Sequence, residues 1–138
     1  MVASAFPEGS TRASGYLGES YAADFLQENG LEICARNVTI AGAEIDLIAR
    51  IPATINPPVD TIVFVEVRSR EHENHGSPLE TIQPHKMNRL KRAATAWLIA
   101  QKLWEEVAVR FDVIGLVKDD PSKTKFTVQW IQAAFDAD

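Results

Sequence analysis

The chain is expected to fold as an α/β sandwich around one mixed sheet, and three observations predict this. Helix-type and strand-type periodicities follow one another in the order helix, three strands, helix, two strands. The second helical segment lies between two strand segments and is long enough to carry the chain back to a parallel neighbour. With 138 residues, 46% of them hydrophobic and 24% charged, the chain suits one domain with one core.

Residues 1–14 are small and polar and read as a flexible tail, with a single domain over 15–138. They lack the long apolar run of a secretory signal. Residues 15–29, GYLGESYAADFLQEN, read as a helix. Leu17, Tyr21 and Phe25 recur every four residues, Ala22 and Leu26 widen the stripe, and Gly30 is a natural stop. Glu19 falls beside Ala22 and Leu26, at the edge of that stripe.

Strands are expected over 31–40 and 41–49. In the second, AGAEIDLIA, alternation puts Ile45, Leu47 and Ala49 on one face and Glu44, Asp46 and Ile48 on the other. The proline-rich segment 51–60 connects to a third strand, VFVEVRSR at 63–70. There Ile62, Phe64, Glu66 and Arg68 share one face and Val63, Val65 and Val67 the other. Residues 69–77 read as a polar loop, and Ser77-Pro78-Leu79-Glu80 as a capping box. A long helix is expected from His85 to Trp104, with Met87, Leu90, Ala94, Trp97, Leu98 and Gln101 inward and Lys86 bordering the core side. Two final strands, VRFDVIGLV and KFTVQWIQAAF, flank the turn signal at Asp119-Asp120-Pro121-Ser122.

Several function classes recede on composition. No apolar run approaches the roughly 18 residues of a membrane span. The lone Cys34 makes no intrachain disulfide and no metal-type cysteine pair, which fits a reducing, cytoplasmic setting, and it is expected to be a small buried hydrophobe. A net charge of −5 counts against a general nucleic-acid binder. The charge is uneven, however: HKMNRLKR at 85–92 holds Lys86, Arg89, Lys91 and Arg92 with no acid, a candidate phosphate-binding stretch. His72 and His75 form an H-x-x-H, but in a loop without a third ligand.

The third strand poses a problem of its own. If strands two and three form a symmetric hairpin about Asn56, then Asp46 and Glu66 stand opposite each other, with Cβ atoms roughly 4.5–5.5 Å apart. Two carboxylates so close repel, and a proton or a cation must relieve them. Glu19, Asp46 and Glu66 offer the oxygen donors that Mg²⁺ or Mn²⁺ prefers, and the Val67 carbonyl adds another. Arg68 projects towards the same place.

An acid, 19 intervening residues and then Glu-x-Arg resembles the metal site of the PD-(D/E)xK nucleases. Closer still, GYLGESYAADFLQENGLEICARN, AEIDLIA, VFVEVRSR, PHKMNRLKRAA and RFDVIGL resemble, in order and spacing, the YraN family of endonuclease-like bacterial proteins. The likeness covers roughly residues 15–116. It implies a restriction-endonuclease-like αβββαβ core, a mixed central sheet flanked by helices. It also implies a Mg²⁺- or Mn²⁺-dependent phosphodiesterase acting on DNA, kin to junction resolvases and plausible as a homodimer. Carried over by residue, Glu19, Asp46 and Glu66 are metal ligands and Arg68 stands where the nucleases keep a lysine. That is a departure, because arginine does not give up its proton. Ala43 stands where the family usually has glycine. Lys86 matches a family lysine and, with Arg89 and Arg92, would face nucleic acid.

Each residue also has a structural reading. Glu19 could be a surface acid, Asp46 could cap a bulge or pair with an arginine, and Glu66 could form a salt bridge with Arg68 or Lys86. Asp112 reads as a structural partner of Arg110, and the three tryptophans as core or interface residues. A non-catalytic nucleic-acid-binding or scaffold protein that keeps the fold is the competing function.

Overall fold

The computed structural model describes residues 11–70, 79–117 and 126–137. The elements are α1 (Thr11–Glu28), β1 (Glu32–Ile40), β2 (Ala43–Ile51), β3 (Thr61–Arg70), α2 (Pro84–Ala100), β4 (Ala108–Val117) and β5 (Thr127–Phe135), with a short 3₁₀ turn at Leu79–Thr81. The strands form one sheet in the order β1-β2-β3-β4-β5. All neighbours are antiparallel except β3 and β4, which α2 joins as a parallel pair. The sheet is therefore mixed, as the two helix-separated strand groups led one to expect.

The helices lie on opposite faces of the sheet. Ala22, Ala23 and Leu26 of α1 pack on Leu47, Ala49, Val63 and Val65. Leu90, Ala93, Ala94 and Leu98 of α2 pack on Ile48, Ile62, Phe64 and Phe111. The alternation of β3 thus feeds two cores, with valines to α1 and Ile62 and Phe64 to α2. Each fully buried aliphatic side chain here contributes about 1.5–3 kcal/mol.

Several expectations need correction. α1 opens at Thr11, inside the segment read as a tail, whose first ten residues lie outside the described residues. α2 starts at Pro84, one residue ahead of the expected His85, because the missing proline N–H costs nothing in the first turn. That helix stops at Ala100, short of Trp104: Gln101 caps it, and Lys102 turns left-handed at φ 61°. Gln101 is consequently exposed, and Trp104 is half exposed. β3 runs to Arg70, as the strand reading of 63–70 has it. His72, His75, Ser77, Pro78 and the 119–122 turn signal lie outside the described residues.

Cys34 is exposed, not buried. The β1–β2 register shifts between Ile33 and Ala35, so Cys34 is the extra residue of a bulge on an edge strand. Ile45 also changes sides. It packs with the α2 cluster, whereas Leu47 and Ala49 pack with α1. Across from this stretch, Asn37 of β1 has φ 51°, and β2 pairs with β3 only from Leu47 onwards. Released from one neighbour and kinked against the other, this end of β2 rotates out of strict alternation.

Candidate metal centre

The release of β2 from β3 creates the site. The β2–β3 register runs from Ile51↔Thr61 to Leu47↔Val65, which makes Asp46 and Glu66 the next opposed pair, at the point where pairing stops. The Val67 N–H has left the ladder there and donates to Asp46 Oδ2 at 2.8 Å. Val67 therefore enters the site through its amide, whereas the sequence suggested its carbonyl.

Rotation of the β2 end turns Glu44 and Asp46 towards α1, which brings Glu19. A carboxylate oxygen from each of these three acids lies within 4.8 Å of the others. Glu66, on the α2 side of the splayed strands, is outside this tightest cluster but acts on Asp46 through its charge. Glu44 is exposed, in keeping with its reading as a solvated residue near the sheet edge, yet its carboxylate joins the cluster, a ligand candidate the sequence reading did not name. The signal was present, since it shares the Asp46 face two residues away.

Electrostatics mark the same spot. The Asp46 carboxyl is pushed from 3.8 up to about 8, first by burial and then by the negative charge of Glu66, against the pull of the Val67 amide. Glu19 is also raised, chiefly by burial, although hydrogen bonds from Asp46 and Asn37 oppose this. Asp46 therefore holds the proton that the two carboxyls share. An all-carboxylate donor set with one neutralising proton fits a hard divalent cation, which would take the proton's place.

Glu66 is 6% exposed and is met by two cations. Lys86 Nζ lies 2.8 Å from its Oε1, and Arg68 Nε lies 3.4 Å from the same oxygen. Arg68 Nε is buried and has no hydrogen bond among the described residues. Both ion pairs expected on the structural reading of Glu66 are present, beside the acid cluster and not instead of it.

A cleft of about 270 Å³ opens above the acids, lined by Glu44, Asp46 and Glu66 on one wall and His85, Lys86 and Arg89 from the start of α2 on the other. Arg89 donates to the Gly42 carbonyl at 2.7 Å, tying α2 to the β1–β2 turn. Arg92 is exposed and lies farther along the helix, on the stripe of His85 and Arg89 but outside the cleft lining. His85 is a further cleft residue not singled out from the sequence.

Asp112 stands apart from this arrangement. It is 1% exposed and fully served by donors: Arg110 binds both oxygens at 2.8 Å, Trp130 Nε1 lies at 2.8 Å, and the Ala133 amide lies at 3.0 Å. Ala133 has φ 49° and sits where the β4–β5 register shifts, so Asp112 pins that irregularity. Trp97 and Trp130 are partly buried core residues, packed edge-on against Phe64 and Phe25.

Comparison with known proteins agrees with the motifs. The profile of the family described as Uncharacterised protein family UPF0102 matches residues 18–116. A UPF0102 protein of Pseudomonas putida KT2440 is 38% identical over 136 residues, covering 99% of each chain. One of Chromohalobacter salexigens is 39% identical over 127 residues, covering 92% of this chain and 94% of its own. One of Alkalilimnicola ehrlichii is 37% identical over 124 residues, covering 90% and 87%. The chain belongs to this family, as its YraN-like motifs indicate.

Proposed function

We propose that this member of the UPF0102 family is a metal-dependent nuclease that hydrolyses DNA phosphodiesters, with branched or single-stranded DNA as its substrate class. The observation that carries the reading is the cluster of Glu19, Glu44 and Asp46 where β2 and β3 part, with Glu66 beside it, at a cleft that Glu44, Asp46 and Glu66 line on one wall and Lys86 and Arg89 on the other. Glu19, Glu44 and Asp46 would hold Mg²⁺ or Mn²⁺, with Glu66 beside them. Such an ion supplies a bound water of lowered pKa and neutralises charge on a phosphoryl oxygen.

The remaining work falls to the chain's own side chains. The Val67 amide fixes the Asp46 carboxylate in one orientation. Asp46 gives up its proton when the site is loaded. Arg68, always cationic, offsets charge that builds up beside Glu66 and does not serve as a base. Lys86, Arg89 and His85 grip the phosphate across the cleft, and Arg92 meets a neighbouring phosphate along α2. A homodimer would present two such clefts to a branched substrate.

Asp46→Ala and Glu66→Ala are each expected to abolish Mn²⁺-dependent cleavage of a mixed panel of duplex, single-stranded and four-way-junction DNA, with far-UV circular dichroism unchanged. Cleavage surviving in both variants would remove this site from consideration.

One observation favours a second reading. Glu66 is already neutralised by two cations, and one of them, Arg68, is a residue that cannot cycle a proton. A non-catalytic DNA-binding or scaffold protein would be built this way. Its signature is DNA binding without Mn²⁺ that weakens, and loses salt dependence, when Lys86, Arg89 and Arg92 are reversed to Glu.

A further inference from the structure

We propose that Lys86 is a two-position residue: the counter-ion of Glu66 when no divalent cation is bound, and a phosphate ligand in the cleft when one is. The inference rests on the acids being a cation site, and its consequence is that cation and phosphate bind cooperatively through Lys86.

Glu66 is buried, and both of its cationic partners sit on the same oxygen, Oε1. The two partners are held differently. Arg68 belongs to the same strand as Glu66, and its Nε is enclosed. Lys86 comes from the first turn of α2, on a flexible four-carbon stem, with its side chain 38% exposed. Its ammonium therefore reaches the carboxylate from the cleft wall. A divalent cation held by Glu19, Glu44 and Asp46 competes with that ammonium for the charge of neighbouring Glu66 and repels it as a like charge. Of the two side chains, Lys86 is the more exposed, 38% against 28%, and it stands on the cleft wall, so Lys86 is the group that moves.

The cleft offers it a second position. The same wall carries the Arg89 guanidinium and the His85 ring, and Gln83, ahead of α2, provides no side-chain cap to the helix N-terminus. With Lys86 and Arg89 in the first two turns of α2, the helix start favours an anion, and a phosphate oxygen is the anion that the cleft admits. Each ligand thus biases Lys86 towards the same position. By linkage, the cation tightens the phosphate by the same factor as the phosphate tightens the cation.

The test is calorimetric titration of Mn²⁺ into wild type, Lys86→Met and Lys86→Gln, with and without thymidine bisphosphate, which carries phosphates but no internucleotide bond to cut. Lys86→Gln keeps a donor to Glu66 without the charge, and so reads the effect if the Met variant folds poorly. Wild type is expected to bind Mn²⁺ at least about fivefold tighter with the bisphosphate present. Both variants are expected to bind Mn²⁺ at least about fivefold tighter than wild type in its absence, with the coupling reduced towards unity. Mn²⁺ affinity unchanged or weakened in both variants, with the coupling intact, would reduce Lys86 to a structural ion-pair partner. Absence of Mn²⁺ binding in all three proteins would overturn the cation site itself, and the inference with it.

Discussion

Two aspartates, buried Asp112 and half-buried Asp46, teach opposite lessons. Asp112 is surrounded by donors: a bidentate guanidinium, an indole N–H and a backbone amide. Its charge is fully compensated by the chain, so its role is to hold β4 and β5 together across an irregular register. Asp46 has one backbone donor, and its other neighbours are acids. The chain leaves it dependent on a proton. Residue type does not separate their roles, and burial points the wrong way, since Asp112, the more buried, is the one the chain neutralises. The balance of donors against acids separates them, because an under-served half-buried carboxylate is costly to fold unless something else is meant to arrive.

The largest effect should come from Asp112. Asp112→Ala leaves a mostly buried guanidinium, an indole N–H and an amide without their acceptor, and is expected to cost about 3–5 kcal/mol in urea unfolding. A loss within the scatter of surface substitutions would break the comparison from the structural side. Asp46→Asn should move in the other direction. Folding raises the Asp46 pKa from 3.8 to about 8, so between those values the folded chain holds a proton that the unfolded chain has released. Ion-free stability therefore falls as pH rises through that window. Asn mimics the protonated form, so the variant should flatten the decline between about pH 5 and about pH 8 and be the more stable protein at the upper end. If wild type and variant show the same slope, Asp46 is not the group that titrates.

Smaller effects sharpen the boundary of the site. Glu44→Gln and Glu19→Gln are each expected to weaken Mn²⁺ binding about tenfold while changing ion-free stability by no more than about 0.5 kcal/mol. A Glu44→Gln variant with wild-type affinity would confine the ligands to Glu19, Asp46 and Glu66. Smallest of all, Cys34→Ala should shift the urea midpoint within about 0.5 kcal/mol, because the bulge already exposes the thiol.

Much of this was legible beforehand because it follows from period and symmetry. Alternation assigned both faces of β3, and a hairpin centred on Asn56 placed Asp46 opposite Glu66; the observed pairs, such as Leu47↔Val65, are centred there too. What escaped were departures from period. The bulge at Cys34 and the left-handed Asn37 leave no reliable mark in the residues themselves, yet they expose the thiol and send Ile45 to the other core. Glu44 was missed for a related reason, since its approach to Glu19 depends on β2 separating from β3. The end of α2 was overshot because apolar spacing persists through Trp104 after the backbone has turned at Lys102.

The central claim is that Asp46 exchanges its proton for a divalent cation. Calorimetry of Mn²⁺ binding to wild type and to Asp46→Asn near pH 7, repeated in buffers of different ionisation enthalpy, tests it most directly. Wild type should bind one ion and release about one proton on doing so, and the variant should bind none or far more weakly. Binding of equal strength in both proteins, or binding to wild type without proton release, would contradict it.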